Sequence, residues 1–379
     1  MESGRFACPS SVLGLAGLLK HGRRALLAGL GSAVLLHSER GTISDQGRPS
    51  AHPSKAFDAG LVLGVATALR VWAGWRPGRL ATLWRRYRLL KRASRCRSML
   101  FAAEGLVVPP VLIFSPTMRC NFSCRGCYSR DYPVDGELTL GETGSLFHQA
   151  EELGATVLVI TGGEPLLREG LMELLAERRE LLFLLFTNAT FIDRTWAQGV
   201  ARLQNVIPVL SLEGEERHTD GRRGMGVHQG VAEAMAHLAE ARAFFGFSAM
   251  VTRQNLATLG AEPFVDDMIA RGCRIGFWAG YVPSGSKAEE AWVPSREEQT
   301  WFRRRVLDLR RRKRILLIHL PDDEYERGGT CMAAGRGFVH VNAQGFVEPC
   351  PFAHLASDSV RTSSLKAASG PCRRSIPMV

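Results

Sequence analysis

Val111-Leu112-Ile113-Phe114-Ser115-Pro116, followed three residues later by Cys120-Asn121-Phe122-Ser123-Cys124-Arg125-Gly126-Cys127-Tyr128, is the stretch from which the rest of the chain can be read. The first run is β-branched and aromatic, as a buried strand is, and Ser115-Pro116 ends it. The three thiols therefore belong on a loop at the C-terminal end of a strand, the edge at which α/β folds bind their ligands.

Outward from that strand, short apolar runs alternate with stretches of helical composition. Strands are predicted at Val111–Phe114, Thr156–Ile160, Leu182–Phe186, Ile207–Leu212, Phe245–Val251, Ile275–Trp278 and Ile315–His319. Helices are predicted at Leu140–Leu153, Gly170–Glu180, Arg194–Leu203, Val227–Arg242, Glu262–Arg271 and Arg296–Arg312, the last with Ser295 as N-cap and Glu298 as its capping-box partner. The alternation predicts an α/β fold with a parallel sheet, a partial (β/α)6 TIM-like barrel. The basic end of Arg296–Arg312 is explained by the helix dipole and a solvated face.

Nine cysteines, an odd number spread over a long chain, and no charged leader with a cleavage site predict a reducing, cytoplasmic compartment with the clustered thiols as metal ligands. The net charge of +11 is concentrated between Arg70 and Arg97, where no acidic residue occurs, so an anionic partner is expected. Residues 1–104 form an apolar and basic helical region whose runs Ser11–Leu19, Ala25–Leu36 and Leu61–Trp75 are too short to span a bilayer of ~20 residues per helix. Trp72, Trp75, Leu80, Leu83, Trp84, Tyr87 and Leu89 among arginines read either as an amphipathic helix on an anionic membrane, at its inner face, or as a helix packed on the catalytic domain with a solvated basic face. Nucleic acid is the weakest of the partners considered, because no recognised module accompanies the charge.

A cubane iron–sulfur cluster takes four thiolates, so three on one loop leave an iron open to a substrate or cofactor. The competing readings are a zinc site completed by a distant residue such as His148, or three unrelated thiols. Thr161-Gly162-Gly163-Glu164-Pro165 follows the next strand and lies on the same edge. Its glycines allow close backbone approach, Glu164 offers a carboxylate to a cation, and Pro165 suits a first helical turn. Together the two motifs resemble the radical S-adenosylmethionine superfamily, in which a three-cysteine loop of this spacing precedes a Gly-Gly-Glu-Pro turn. The resemblance implies that Cys120, Cys124 and Cys127 ligate a 4Fe-4S cluster whose open iron is chelated by S-adenosylmethionine. Gly162, Gly163 and Glu164 would receive the methionine amino group, with Pro165 beside them. An electron donor such as flavodoxin or ferredoxin is implied, as is reductive cleavage to a 5′-deoxyadenosyl radical that abstracts hydrogen from a substrate.

Ser211-Leu212-Glu213-Gly214 resembles the family's turn near the cofactor ribose, Arg222-Arg223-Gly224 its Arg-Gly stretch, and Thr187-Asn188-Ala189-Thr190 its Thr-Asn-Gly turn with Ala189 in place of glycine. Asn188, Ser211, Glu213 and Arg223 are accordingly cofactor-binding candidates; without the resemblance they are strand caps and turn residues. Many members carry an aromatic residue just before the third cysteine, where its backbone meets the adenine. Gly126 stands there in this chain and Tyr128 follows the cysteine, so Tyr128 joins the candidates.

Towards the C-terminus, Phe338–Val341, a turn at Asn342–Gly345 and Phe346-Val347 read as a β-hairpin flanked by Cys331 and Cys350. The segment 321–379 resembles a truncated SPASM/twitch-like extension, which implies an auxiliary iron–sulfur cluster on Cys331, Cys350 and Cys372. The alternative is a hairpin that plugs the barrel with inert thiols. Cys8, Cys96 and Cys273 read as packing or surface thiols. His319 and Tyr325 lie near an acidic cluster that lines the substrate mouth or, equally, forms a solvated loop; they are the catalytic proton-donor candidates.

The expected organisation is an N-terminal region over 1–104, a radical core over 105–320 and the extension over 321–379. The expected activity is radical chemistry on a peptide, a cofactor precursor or a lipid-like molecule. The rival is a non-catalytic iron–sulfur or zinc-binding module at a membrane surface.

Overall fold

The computed structural model describes residues 80–368 apart from residues 287 and 357. The apolar runs before residue 80, the basic segment up to Arg79, Cys8 and Cys372 lie outside the described residues.

Seven strands run parallel in chain order: β1 (Val111–Phe114), β2 (Val157–Ile160), β3 (Leu182–Thr187), β4 (Val206–Ser211), β5 (Gly246–Val251), β6 (Ile275–Gly280) and β7 (Leu316–Leu320). All seven predicted strands are present within one or two residues of their expected bounds, because each is an apolar run cut by a turn residue. The predicted hairpin forms β8 (Phe338–Val341) and β9 (Phe346–Glu348), with the short β10 (Asp358–Ser359) beyond. It does not plug the barrel. β8 pairs parallel with β1, Ile113 opposite His340, so the C-terminal segment extends the sheet in the order β10-β9-β8-β1-β2-β3-β4-β5-β6-β7. The sheet is not closed, so the expected partial barrel is borne out, six β/α units followed by the seventh predicted strand.

Ring contacts give the curvature. Phe186 on β3 and Phe277 on β6 are three strand spacings apart, about 14 Å along a flat sheet, yet their ring centroids are 5.3 Å apart. The sheet therefore curls, and these residues face its concave side. The opposite face packs helices: Phe147 of the helix Leu140–Leu153 meets Phe114 and Phe183, and Phe302 of the helix Arg296–Arg312 meets Trp278. Thr139 and Ser295 start these two helices with full capping boxes, the second as expected from sequence.

The first described helix, Leu80–Glu104, packs on the domain as the second of the readings given above. Arg86 donates to the carbonyls of Arg179, Leu181 and Gln204, which precede β3 and β4. Arg97 is fully buried and donates to Gly154 O, ahead of β2. These arginines close carbonyls at the N-terminal end of the strands, so this helix lies at the opposite end of the sheet from the cysteine loop. Among the described residues no helix is long and apolar enough to cross a membrane.

Candidate functional site

The cysteine loop and the Gly-Gly turn lock together through their backbones. Gly163 N donates to Thr117 O at 2.9 Å and Glu164 N to Arg119 O at 2.8 Å. A Cβ on Gly162 would lie 2.5 Å from Thr117 O, and one on Gly163 would lie 2.6 Å from Met118 O and closer still to Arg119 O. The glycines are thus required by the approach of the chain's own cysteine loop, not only by a ligand. Their carbonyls accept no hydrogen bond from the described residues and remain as acceptors at the turn.

Glu164, expected to receive the methionine amino group, is also engaged within the chain. Its side chain is fully buried and accepts from Leu166 N at 3.0 Å, Thr187 Oγ1 at 2.8 Å and Asn188 N at 2.7 Å. Burial pushes its pKa up, against these three donors. The carboxylate ties the turn after β2 to the end of β3, Oε1 taking two donors and Oε2 one, and the free carbonyls beside it are what an ammonium could reach. Pro165 opens the 3-10 turn Pro165–Leu167, as its ring predicts. Ala189 carries φ +71°, the conformation that favours glycine, so it holds the turn at a cost of about 1 kcal/mol.

Cys120 lies near enough to Cys124 and Cys127, and Cys124 to Cys127, for the neighbouring thiol to act on it electrostatically. Burial raises the pKa of Cys120 and of Cys124, and Arg223 and Arg222 oppose the rise at Cys124. Both guanidiniums are held by Glu213: Arg222 Nη1 at 2.6 Å, Arg223 Nε at 2.8 Å and Arg223 Nη2 at 2.6 Å, all on Oε1. Met250 N occupies Oε2 at 3.0 Å. The loop backbone joins this cluster where Arg125 N donates to Arg222 O. Arg222 Nε is buried without a partner, a spare donor in a cationic corner beside the thiols. Glu213 is therefore a clamp for cations rather than an exposed ligand. Asn188 Nδ2 donates to Asn121 Oδ1 at 2.7 Å and lies 3.9 Å from Cys120 Sγ.

These features fit a thiolate-held cluster: three thiols in mutual range, spare donors, and cations that offset thiolate charge. Among the described residues no three His, Cys, Asp or Glu side chains surround one ion position. His148 is not a fourth ligand: it is exposed on the helix side and faces Glu152 at 3.5 Å.

Tyr128 bonds Thr161 Oγ1 through its hydroxyl at 3.2 Å and packs edge-on against Phe352 of the C-terminal segment. Burial pushes its pKa up to about 12. Ser211 lies on the concave face, sharing a 3.2 Å hydroxyl contact with Ser248. His319 does not line the lumen: it alternates with Ile318 on β7 and packs on Phe302 in the helix layer, with burial holding its pKa down at about 4. Tyr325 is exposed. Cys331 and Cys350 approach each other across the base of the hairpin, and Ala334 N donates to Pro349 O between them. Glu324 lies beside this pair and bonds Cys331, although the three do not form a metal-holding group among the described residues. Cys273 is buried and inert, its pKa pushed up to about 12 by burial, and Cys96 donates to Glu152 O.

Sequence reading missed a buried network under the loop. His340 contacts Ser115 Oγ through Nε2 and Glu348 Oε2 through Nδ1, both at 2.8 Å, and Tyr132 Oη donates to Glu348 Oε2 at 2.6 Å. It also missed Arg222, whose pairing with Glu213 spans a helix with no apolar stripe, Glu216–Arg223.

Comparison with known proteins agrees with this geometry. The family model described as Radical SAM superfamily matches residues 114–259. The chain is 30% identical to the Fe-coproporphyrin III synthase of Methanosarcina barkeri over 47% of its own length and 46% of the relative's, so it matches less than half of that protein. It is 28% identical to the PqqA peptide cyclase of Gluconobacter oxydans over 66% of its length and 72% of the relative's. Among solved structures, Streptococcus suis SuiB bound to precursor peptide SuiA has the same fold, with a TM-score of 0.61 at 16% identity over 73% of this chain and 68% of that one. With the three-cysteine loop and the Gly-Gly turn locked together on one sheet edge, these matches identify residues 114–259 as a radical SAM domain, the family whose cofactors are a 4Fe-4S cluster and S-adenosylmethionine.

Proposed function

We propose that the chain is a radical enzyme in which Cys120, Cys124 and Cys127 hold the cluster and the Gly162 and Gly163 carbonyls receive the ammonium of S-adenosylmethionine. The observation that carries this reading is the docking of the cysteine loop on the Gly-Gly turn, which sets three thiols and two unclaimed carbonyls side by side. The bound cofactors would supply reductive cleavage of the sulfonium to methionine and a 5′-deoxyadenosyl radical, which takes a hydrogen atom from the substrate. The protein's part is positional. The Glu213 clamp sets the cations beside Cys124, Asn188 fixes Asn121, and the concave sheet face excludes water from the reacting centre.

We further infer a peptide substrate that presents an apolar side chain. The lumen positions Phe186, Phe277, Ile113, Val159, Leu184 and Ile207 are apolar, and the His340 and Glu348 that continue the Ile113 row are engaged with each other. Arg119, Arg125, Arg222, Arg223 and Arg253 on the same edge are each paired with a carboxylate of the chain, which leaves them engaged against an anionic porphyrin. The likeness to the peptide cyclase and to SuiB supports the same class. Cys331 and Cys350 would hold an auxiliary cluster only with a ligand such as Cys372, and no step is assigned to it.

Anaerobically reconstituted protein given S-adenosylmethionine and a reductant should form 5′-deoxyadenosine, and alanine at Cys120, Cys124 or Cys127 should lower the yield about tenfold or more, the scale of losing a catalytic group. A cluster-loaded parent that forms none refutes the enzyme reading and favours a binding module. Tight binding of coproporphyrin III, seen in its absorption spectrum, overturns the peptide assignment.

A further inference from the structure

The connection from β6 to the helix Arg296–Arg312 does not take the short route to that helix but crosses to the cysteine loop, far along the sheet at β1. Four contacts fasten it there. Ser286 donates to the Asp131 carboxylate twice, from N at 2.6 Å and from Oγ at 2.8 Å. Glu289 Oε1 receives Arg125 Nη2 at 2.9 Å, and the same guanidinium lies 5.0 Å over the Trp292 ring. Tyr281 and Trp292, both buried, close over Gly126, whose added Cβ would lie 3.1 Å from the Trp292 ring and 3.1 Å from the Tyr281 hydroxyl. That hydroxyl in turn accepts from Glu289 N at 2.8 Å. Residue 126 is thus a glycine because two rings from another part of the chain occupy the place of its side chain.

We propose that Tyr281 and Trp292 are positioning residues that clamp the Arg125-Gly126-Cys127 backbone and shield Cys124 and Cys127 from solvent. The inference rests on the assignment of those thiols as cluster ligands for its functional meaning, but not for its test. Gly126 has φ +61°, a conformation with no Cβ to stiffen it, so the loop between the second and third thiols gains rigidity only from what lies on it. Arg125 holds the clamp from beneath by charge with Glu289 and by its face with the indole. Oxygen and solvent would reach the thiolates through the space that Trp292 fills.

The test is the alkylation rate of each cysteine in the full chain without cluster, read by mass spectrometry. Trp292→Ala should raise the rate at Cys124 about fivefold or more, with Cys273 unchanged as a reporter of global unfolding. Trp292→Phe should return it to within about twofold of the parent, since a ring still fills the site. If Trp292→Ala also exposes Cys273, the surface variant Ser286→Ala/Glu289→Gln decides: faster alkylation at Cys124 alone supports the clamp. A Cys124 rate within about twofold of the parent in the folded variant overturns it. In cluster-loaded protein, Trp292→Ala should bleach faster in air. A parent that loads no cluster would sink the ligand assignment while the alkylation rates still judge the clamp.

Discussion

Replacing Gly163 by alanine should separate the two halves of the site. The new Cβ would sit 2.6 Å from Met118 O, 0.8 Å inside the 3.4 Å at which ordinary contact begins, and nearer still to Arg119 O. Both obstacles are backbone, so no side chain can swing away. Retreat of the loop by this amount stretches Gly163 N to Thr117 O from 2.9 Å and Glu164 N to Arg119 O from 2.8 Å beyond hydrogen-bonding range. Two lost hydrogen bonds cost about 2 kcal/mol and the overpacking about 1–3 kcal/mol more, so about 3–5 kcal/mol is at stake locally. A displacement near 1 Å at a reacting centre costs about 100-fold in rate. Iron per chain, 5′-deoxyadenosine formation and the unfolding midpoint should therefore all fall. The control is Gly199→Ala in the helix Arg194–Arg202, where an added Cβ meets nothing within 4 Å. That change should stabilise the fold by about 0.5–1 kcal/mol and leave the rate alone. A Gly163→Ala protein with parental iron content and a rate within about twofold would refute the docking of loop on turn as the basis of the site.

Two further outcomes bear on the fold around the site. Because burial holds His319 at about 4 while the unfolded residue titrates near its ordinary value, the unfolded chain takes up more protons between those limits. This contribution to stability is full above the ordinary histidine value and is lost as pH falls; between pH 7 and pH 5 it amounts to about 2 kcal/mol. Asp322, Asp323, Arg303 and Arg310 surround the ring. Urea unfolding at the two pH values should show His319→Gln losing about 2 kcal/mol less than the parent, and equal losses would contradict the burial argument. Tyr132→Phe removes the donor to Glu348 at 2.6 Å and to Pro351 O at 3.1 Å. With Glu348 buried, this should cost about 1–3 kcal/mol by denaturant titration, and a cost under about 0.5 kcal/mol would mean that the network does not brace the loop.

The helix Leu140–Leu153 was expected with the bounds it has, and the Ser295–Glu298 box was read correctly, because capping and apolar periodicity are local. The helix Glu216–Arg223 was not expected. Its burial is that of Thr219 and Asp220, and Arg222 and Arg223 turn to Glu213, so it has no apolar stripe to find. His319 reads from sequence as lining the mouth or as part of a solvated loop, because its strand end is legible but its side is not; alternation turns neighbouring residues to opposite faces, and here the face toward Phe302 takes the ring. Glu164 reads in sequence as a ligand, and only the fold brings to it the donors of β3 that it also accepts.

The sequence by itself determined the chemistry: thiol spacing, strand-ending turns and the parallel alternation are written within short windows, and strand polarity then sends both motifs to one edge. Tertiary structure decided how the edge is used. The approach of Thr117–Arg119 to Gly162 and Gly163, the Glu213 clamp beside Cys124, and Trp292 over Gly126 join residues far apart in the chain. Such pairings depend on how the sheet curls and where long connections return, and neither leaves a local mark in sequence because many residue types satisfy the same side-chain direction.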